Sequence, residues 1–216
     1  MKIVVKLGGS ISIDESGPNI EYFKKIMPVL RKIKKQHQLI VSIGGGKFVR
    51  SYYAKIDKFR LSNAEKEWIA VALLTANVRF VASALGLKPL LKLEEINIGT
   101  SGVIGGIKPG RSTDANAAYA AQRIGADLFI KLTDVDGVYT ADPDTDKNAK
   151  KIKKIPFSQV MHYAKSGKPG DYGILDRTAL QIIKKNKIKT VVIDGRNTSN
   201  LLKAINGEKI GTVISD

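Results

Sequence analysis

The chain begins Met1-Lys2-Ile3-Val4-Val5-Lys6-Leu7-Gly8-Gly9-Ser10, and the reading of the fold starts from this stretch. Residues 3–7 form a short apolar run rich in β-branched side chains, which suits a strand buried on both faces. Two adjacent glycines follow, free to bring backbone close to a ligand in conformations that other residues avoid. Residues 39–43, 128–132 and 190–193 repeat the strand pattern, and residues 22–35 carry Phe23, Ile26, Met27, Leu30 and Ile33 at helical spacing. Residues 65–85, 115–124, 177–185 and 201–205 read as further helices. Strand alternating with helix predicts an α/β domain with a mostly parallel sheet covered on both sides.

Further along, Ile43-Gly44-Gly45-Gly46-Lys47 again follows a strand and precedes a helical pattern containing Arg50. Each glycine turn alone could be no more than a tight turn. Two of them at the carboxyl ends of parallel strands, where open α/β sheets bind ligands, predict converging peptide N–H groups and a phosphate site. Phe48 follows Lys47 where a Walker A loop needs Ser or Thr, and no Gly-x-Gly-x-x-Gly opens a helix, so a P-loop or dinucleotide fold is not expected.

A third cluster, Gly105-Gly106-Ile107-Lys108-Pro109-Gly110-Arg111-Ser112-Thr113-Asp114-Ala115, offers flexible backbone, two cations, two hydroxyls and a carboxylate before an alanine-rich helix. Ser112 or Thr113 can cap that helix, and the same helix end attracts an anion. A carboxylate beside a phosphate costs affinity unless it orients a lysine or a metal ion, and Lys6 is the candidate partner of Asp114. The fourth cluster, Thr133-Asp134-Val135-Asp136-Gly137-Val138-Tyr139-Thr140-Ala141-Asp142-Pro143, reads either as a hairpin with surface acids or as a nucleotide pocket using Tyr139 and Asp142. Lys147 and Lys153 stand where a calcium loop needs Gly and Glu, which rejects an EF-hand.

The 216 residues include 36 Lys+Arg, 20 Asp+Glu and no cysteine, for a formal charge of +16. Without cysteine there is no disulfide framework, thiolate metal site or thiol nucleophile. Runs such as Arg31-Lys32-Ile33-Lys34-Lys35 lack the interleaved aromatics of a single-strand groove, so a solvated lysine face is expected and nucleic acid is not. His37 and His162 have no metal-ligand partner at a suitable spacing, and Trp68 is expected in the core or in an oligomer contact. No membrane span is expected, and the strand at the N-terminus leaves no room for a secretory segment, which predicts a cytoplasmic protein. Residues 133–173 are the least regular part, with turns at Asp136-Gly137, Asp142-Pro143 and Lys168-Pro169-Gly170, and are expected to hold a nucleotide-facing hairpin and a mobile loop.

Taken in order, these motifs, ending at Ile174-Leu175-Asp176, resemble the amino-acid-kinase superfamily over nearly the whole chain, and within it the archaeal type of uridylate (UMP) kinases. The resemblance implies a three-layer α/β/α sandwich forming one domain, an acceptor-binding part at about 1–120, an ATP-binding part at about 121–216, and a homo-oligomer, a hexamer in that family. It implies transfer of the ATP γ-phosphoryl group to UMP with Mg²⁺. Lys6 and Asp114 take catalytic roles, and Gly9, Ser10, Gly46, Arg50, Thr133, Tyr139 and Asp142 bind ATP. Gly45, Glu67, Ile107, Lys108, Pro109, Gly110, Arg111, Ser112 and Thr113 bind UMP, and no residue is assigned as a metal ligand. Glu67 replaces the Asp usual for the ribose, Ala70 a Gly, Ile107 a Thr and Asp134 an Asn. Those changes leave room for another small phosphate acceptor, and a non-catalytic nucleotide- or oxyanion-binding protein is the remaining alternative.

Overall fold

The computed structural model describes residues 1–165 and 173–216. In chain order the first half comprises β1 (Lys2–Leu7), α1 (Gly9–Ser12), α2 (Ile20–Gln36), β2 (Gln38–Ile43), α3 (Gly46–Ile56), α4 (Asn63–Leu85), β3 (Lys88–Leu90), β4 (Gly102–Ile104) and α5 (Thr113–Ile124). There follow β5 (Leu128–Thr133), β6 (Val138–Tyr139), β7 (Lys151–Ile152), β8 (Lys154–Ile155), β9 (Ala164–Lys165), β10 (Leu175–Asp176), α6 (Arg177–Asn186), β11 (Thr190–Asp194), α7 (Ser199–Ile205) and β12 (Thr212–Ile214).

The main sheet has the order β3-β4-β2-β1-β5-β11-β12-β8, and only the β11–β12 pairing is antiparallel. The sheet grows one way from β1 and the other way from β5. The carboxyl ends of these central strands are therefore the switch point at which such sheets bind ligands. Alternate residues of β1 face opposite layers. Ile3, Val5 and Leu7 pack with buried residues of α2, α4 and α7, while Val4 faces the alanines of α5 and Leu180 and Ile183 of α6. Ala117, Ala118, Ala120 and Ala121 are fully buried, and their small side chains let α5 lie close on the sheet. The three layers expected from the sequence are all present.

Capping explains where helices begin ahead of their apolar pattern. Asn19 accepts from Tyr22 N at 2.9 Å and starts α2 at Ile20. Ser62 and Glu65 form a reciprocal capping box, which starts α4 at Asn63. The short strands β3, β4, β8 and β12 escaped the sequence reading, because two or three residues carry no periodicity. Pro89 sits in the edge strand β3, where a missing N–H is tolerated.

One expectation meets a feature it did not foresee, and another needs correction. α4 is long and apolar enough to cross a membrane by length and composition, with a mean hydropathy of 1.7 over its best window. Yet Val78, Val81, Ala82 and Leu85 bury one face of it in the core, and the buried Asn77 donates to Gly44 O. Trp68 is 58% exposed, so a core position within this chain is excluded. The Lys168-Pro169-Gly170 turn, and the mobile loop expected around it, lie outside the described residues.

Candidate active site

The two glycine turns interlock at the carboxyl edge of β1 and β2. A Cβ on Gly9 would lie 2.7 Å from Gly46 Cα, and one on Gly46 would lie 2.3 Å from Ile13 O. Gly46 also has φ +55°, a left-handed conformation that disfavours other residues. Backbone therefore packs on backbone here, and no side chain fits between the turns. Gly45 precedes the first residue of α3, and Ser10 and Arg50 are exposed beside the turns.

Beneath them, Ser42, Lys6, Lys131 and Val192 form one in-register row across β2, β1, β5 and β11. Lys6 is 2% exposed and Lys131 7%. Asp114, in the first turn of α5, sits over the row. Its Oδ1 and Oδ2 lie 3.0 and 3.2 Å from Lys131 Nζ, and Oδ1 lies 3.6 Å from Lys6 Nζ. Lys6 Nζ also donates to Leu7 O at 3.1 Å. Asp114 was expected to serve Lys6, but its nearer partner is Lys131, which the sequence reading did not single out. The available signal was a lysine inside an otherwise apolar strand. Neighbouring ammonium groups repel unless anions lie between them. Asp114 is one such anion, and a phosphate would be another.

On the α4 side, a cavity of about 400 Å³ is lined by Glu67, Lys108, Pro109, Gly110, Arg111 and Ser112, together with Tyr53 and Leu74. Glu67 and the 108–112 loop are far apart in sequence and meet here. The glutamate's extra methylene has a visible use, since Glu67 Oε2 accepts from Gly110 N at 2.7 Å. The Arg111 guanidinium lies 4.8 Å from the centre of the Tyr119 ring. Ser112 Oγ caps α5 by accepting from Ala115 N at 2.9 Å, and it donates to Asp176, itself the cap of α6. Ile107 is half-buried and packs against the α5 side of the core. Gly44 leaves room for Thr113 Oγ1 and Lys6 Nζ, which would lie 3.3 and 3.4 Å from a Cβ there. Behind the glycine turns, Asn77 donates to Gly44 O at 3.3 Å and Asn116 to Gly105 O at 2.8 Å. The sequence reading missed both amides.

On the other side, β6 and β7 form the expected antiparallel hairpin. Tyr139 Oη donates to Asp136 Oδ1 at 2.6 Å, and Lys151 Nζ lies 2.8 Å from Asp136 Oδ2. The Lys151 ammonium and the Tyr139 hydroxyl hold the Asp136 carboxyl below its ordinary value. Thr212 Oγ1 accepts from Val138 N at 2.7 Å and donates to Ile152 O, tying the hairpin to β12. Asp142 closes its own turn, accepting from Asp144 N at 3.0 Å. A cavity of about 800 Å³ lies beside the hairpin, with Asp136, Lys151, Ile193, Asp194, Asn200 and Gly211 among its lining residues. None of Thr133, Tyr139 and Asp142 lines it, although Tyr139 reaches its wall through Asp136. Thr133 instead shares a hollow of about 40 Å³ with Lys131. Among the described residues no group of three or more His, Asp or Glu could hold a metal ion.

Interlocked glycine turns over a lysine row, with a cavity on either side, define an anion-handling protein of the three-layer α/β class. The amino acid kinase family model matches residues 1–88 and 86–194, and the chain belongs to that family. It is 36% identical to the uridylate kinase of Methanobrevibacter smithii over 99% of each chain, and 35% identical to that of Archaeoglobus fulgidus over 100% of each. The crystal structure of the uridylate kinase from Archaeoglobus fulgidus superposes with a TM-score of 0.86 at 34% identity, covering 100% of both chains. The UMP kinase of Bacillus anthracis, at 20% identity and a TM-score of 0.79, shares the fold.

Proposed function

We propose that this chain is a uridylate kinase, moving the γ-phosphoryl group of ATP onto the phosphate of UMP to give UDP. The observation that carries this reading is the buried Lys6–Asp114–Lys131 arrangement under the interlocked glycine turns, within a chain similar over its full length to uridylate kinases. Phosphoryl transfer through a loose transition state needs in-line positioning and cations more than a strong base. Lys6 meets the transferring group, and the turns at Gly9, Ser10 and Gly46, with Arg50, hold the ATP phosphates. UMP occupies the cavity of about 400 Å³, with Gly45, Lys108, Arg111 and Thr113 near its phosphate. Glu67 then exchanges Gly110 N for ribose hydroxyls.

The adenosine end of ATP lies toward the hairpin and the cavity of about 800 Å³, and Thr133, Tyr139 and Asp142, which do not line that cavity, are assigned to it on the family resemblance. Mg²⁺, when bound, would neutralise charge at the phosphates. Asp114 is engaged by the Lys6 and Lys131 ammonium groups, which suits it to orienting those lysines more than to ligating the ion. The division into acceptor and donor parts near residue 120 then runs through one continuous sheet. The exposed face of α4, Trp68-Ala72-Ala76-Phe80 at helical spacing, supports self-association into the hexamer expected of the family, in the cytoplasm.

The test is a coupled assay with ATP, Mg²⁺ and a panel of nucleoside monophosphates and other small phosphates. Preferred turnover of UMP is expected. Turnover of no monophosphate would remove the kinase reading, and preference for a non-nucleotide phosphate would overturn the acceptor. Light scattering of wild type and Trp68→Glu tests the assembly, the variant being expected to fall to a smaller species.

A further inference from the structure

Lys131 has no part in the roles assigned above, yet it is the closest described partner of the central carboxylate. It holds both oxygens of Asp114, at 3.0 and 3.2 Å, whereas the nearest approach of Lys6 Nζ to the carboxylate is 3.6 Å. Charge-assisted hydrogen bonds lie at the shorter distances, and Coulomb attraction weakens as separation grows. The β1–β5 register fixes the geometry, because Lys6 and Lys131 are paired residues on adjacent strands and point to the same layer. The α5 N-terminus delivers Asp114 between them, held by the Ser112 cap. Among the described residues Lys131 also lines a hollow of about 40 Å³, with Thr133, Ile174 and Val192, room for a few waters and not for a nucleotide. Lys131 thus faces the carboxylate, with only a small hollow beside it among the described residues.

We propose that Lys131 is a positioning residue for phosphoryl transfer. By taking up the charge of Asp114 it lets the carboxylate steer the Lys6 ammonium without quenching it, so that Lys6 keeps its charge for the transferring group. The proposal rests on the kinase reading, and it predicts a suppression that a merely structural lysine would not produce. In Lys131→Met, Asp114 turns to Lys6 and neutralises it. In Lys131→Met/Asp114→Asn the carboxylate charge is gone and Lys6 is released.

The experiment measures kcat and both KM values for wild type, Lys131→Met, Lys131→Arg, Asp114→Asn and the double variant, with thermal melts as a check on folding. Lys131→Met is expected to lower kcat about tenfold or more, less than the ~10²-fold typical of deleting a group that meets the transition state directly. Its KM values should stay within about twofold, Lys131→Arg should recover most of kcat, and the double variant should turn over faster than Lys131→Met alone. An active wild type with an unimpaired Lys131→Met would overturn this role alone. Losses that simply multiply in the double variant would also overturn it, and a wild type without turnover would overturn the kinase reading and this role together. Should Lys131→Met fail to fold, Lys131→Gln removes the same charge while keeping a hydrogen-bond donor, and the same comparisons apply.

Discussion

The two sides of the cleft are built by different means. Around Gly9 and Gly46 the chain packs backbone on backbone, with no room for a single added carbon. Around Asp136 and Tyr139 the short β6–β7 backbone pairing is reinforced and tied to its surroundings by side chains: a phenol, a lysine and the Thr212 hydroxyl. The first arrangement is fixed once the sheet forms, whereas the second can yield at modest cost. A kinase benefits from this asymmetry, since the transferring phosphoryl needs a rigid seat and the donor nucleoside must enter and leave.

The sharpest way to break the comparison is Gly46→Ala. Left-handed backbone and overpacking each cost on the order of 1–3 kcal/mol, so a stability loss of about 3 kcal/mol or more is expected by chemical denaturation. An unchanged midpoint would show that the seat is soft. Next comes Lys6→Ala, expected to lower kcat by about 10²-fold with little change in the UMP KM. Weaker UMP binding with unchanged turnover would contradict the assigned role. Thr212→Val releases the hairpin from β12 and should raise the ATP KM several-fold while sparing the UMP KM, in initial-rate kinetics.

The smallest effect concerns acid. The folded-state pKa of Asp136 lies below its ordinary value, so its contribution to stability is complete above that value and fades as pH falls through the lower one. Its side chain is half exposed, which limits the contribution to about 1 kcal/mol or less. Comparing the denaturation of wild type and Asp136→Asn from pH 6 down to pH 3 should therefore show a small gap that closes toward the acid end.

Much of this design was legible in the sequence where regular patterns carry it. The β-branched runs gave the four central strands, and the Gly-Gly and Gly-Gly-Gly turns stood directly after two of them. Pro109-Gly110-Arg111-Ser112-Thr113-Asp114 marked the loop that lines the cavity of about 400 Å³ and the cap of α5. What escaped depends on register and on distant contacts. Lys131 matters because β5 pairs with β1 so as to set it beside Lys6, and nothing local to residue 131 reveals that pairing. Asn77 and Asn116 were hidden for the same reason, being polar residues inside helices whose partners, Gly44 and Gly105, lie on other elements. Trp68 reads as core or as an oligomer contact by composition alone, and only the packing of α4 shows that it faces outward.

The most direct measurement is a crystal structure of the protein with Mg²⁺, ADP, UMP and a metal fluoride in place of the transferring phosphoryl group. The account predicts a fluoride within about 3 Å of Lys6 Nζ, against the outer face of the Gly9 and Gly46 turns, with Asp114 still on Lys131. A fluoride bound elsewhere in the cleft, with Lys6 remaining buried out of its reach, would contradict it.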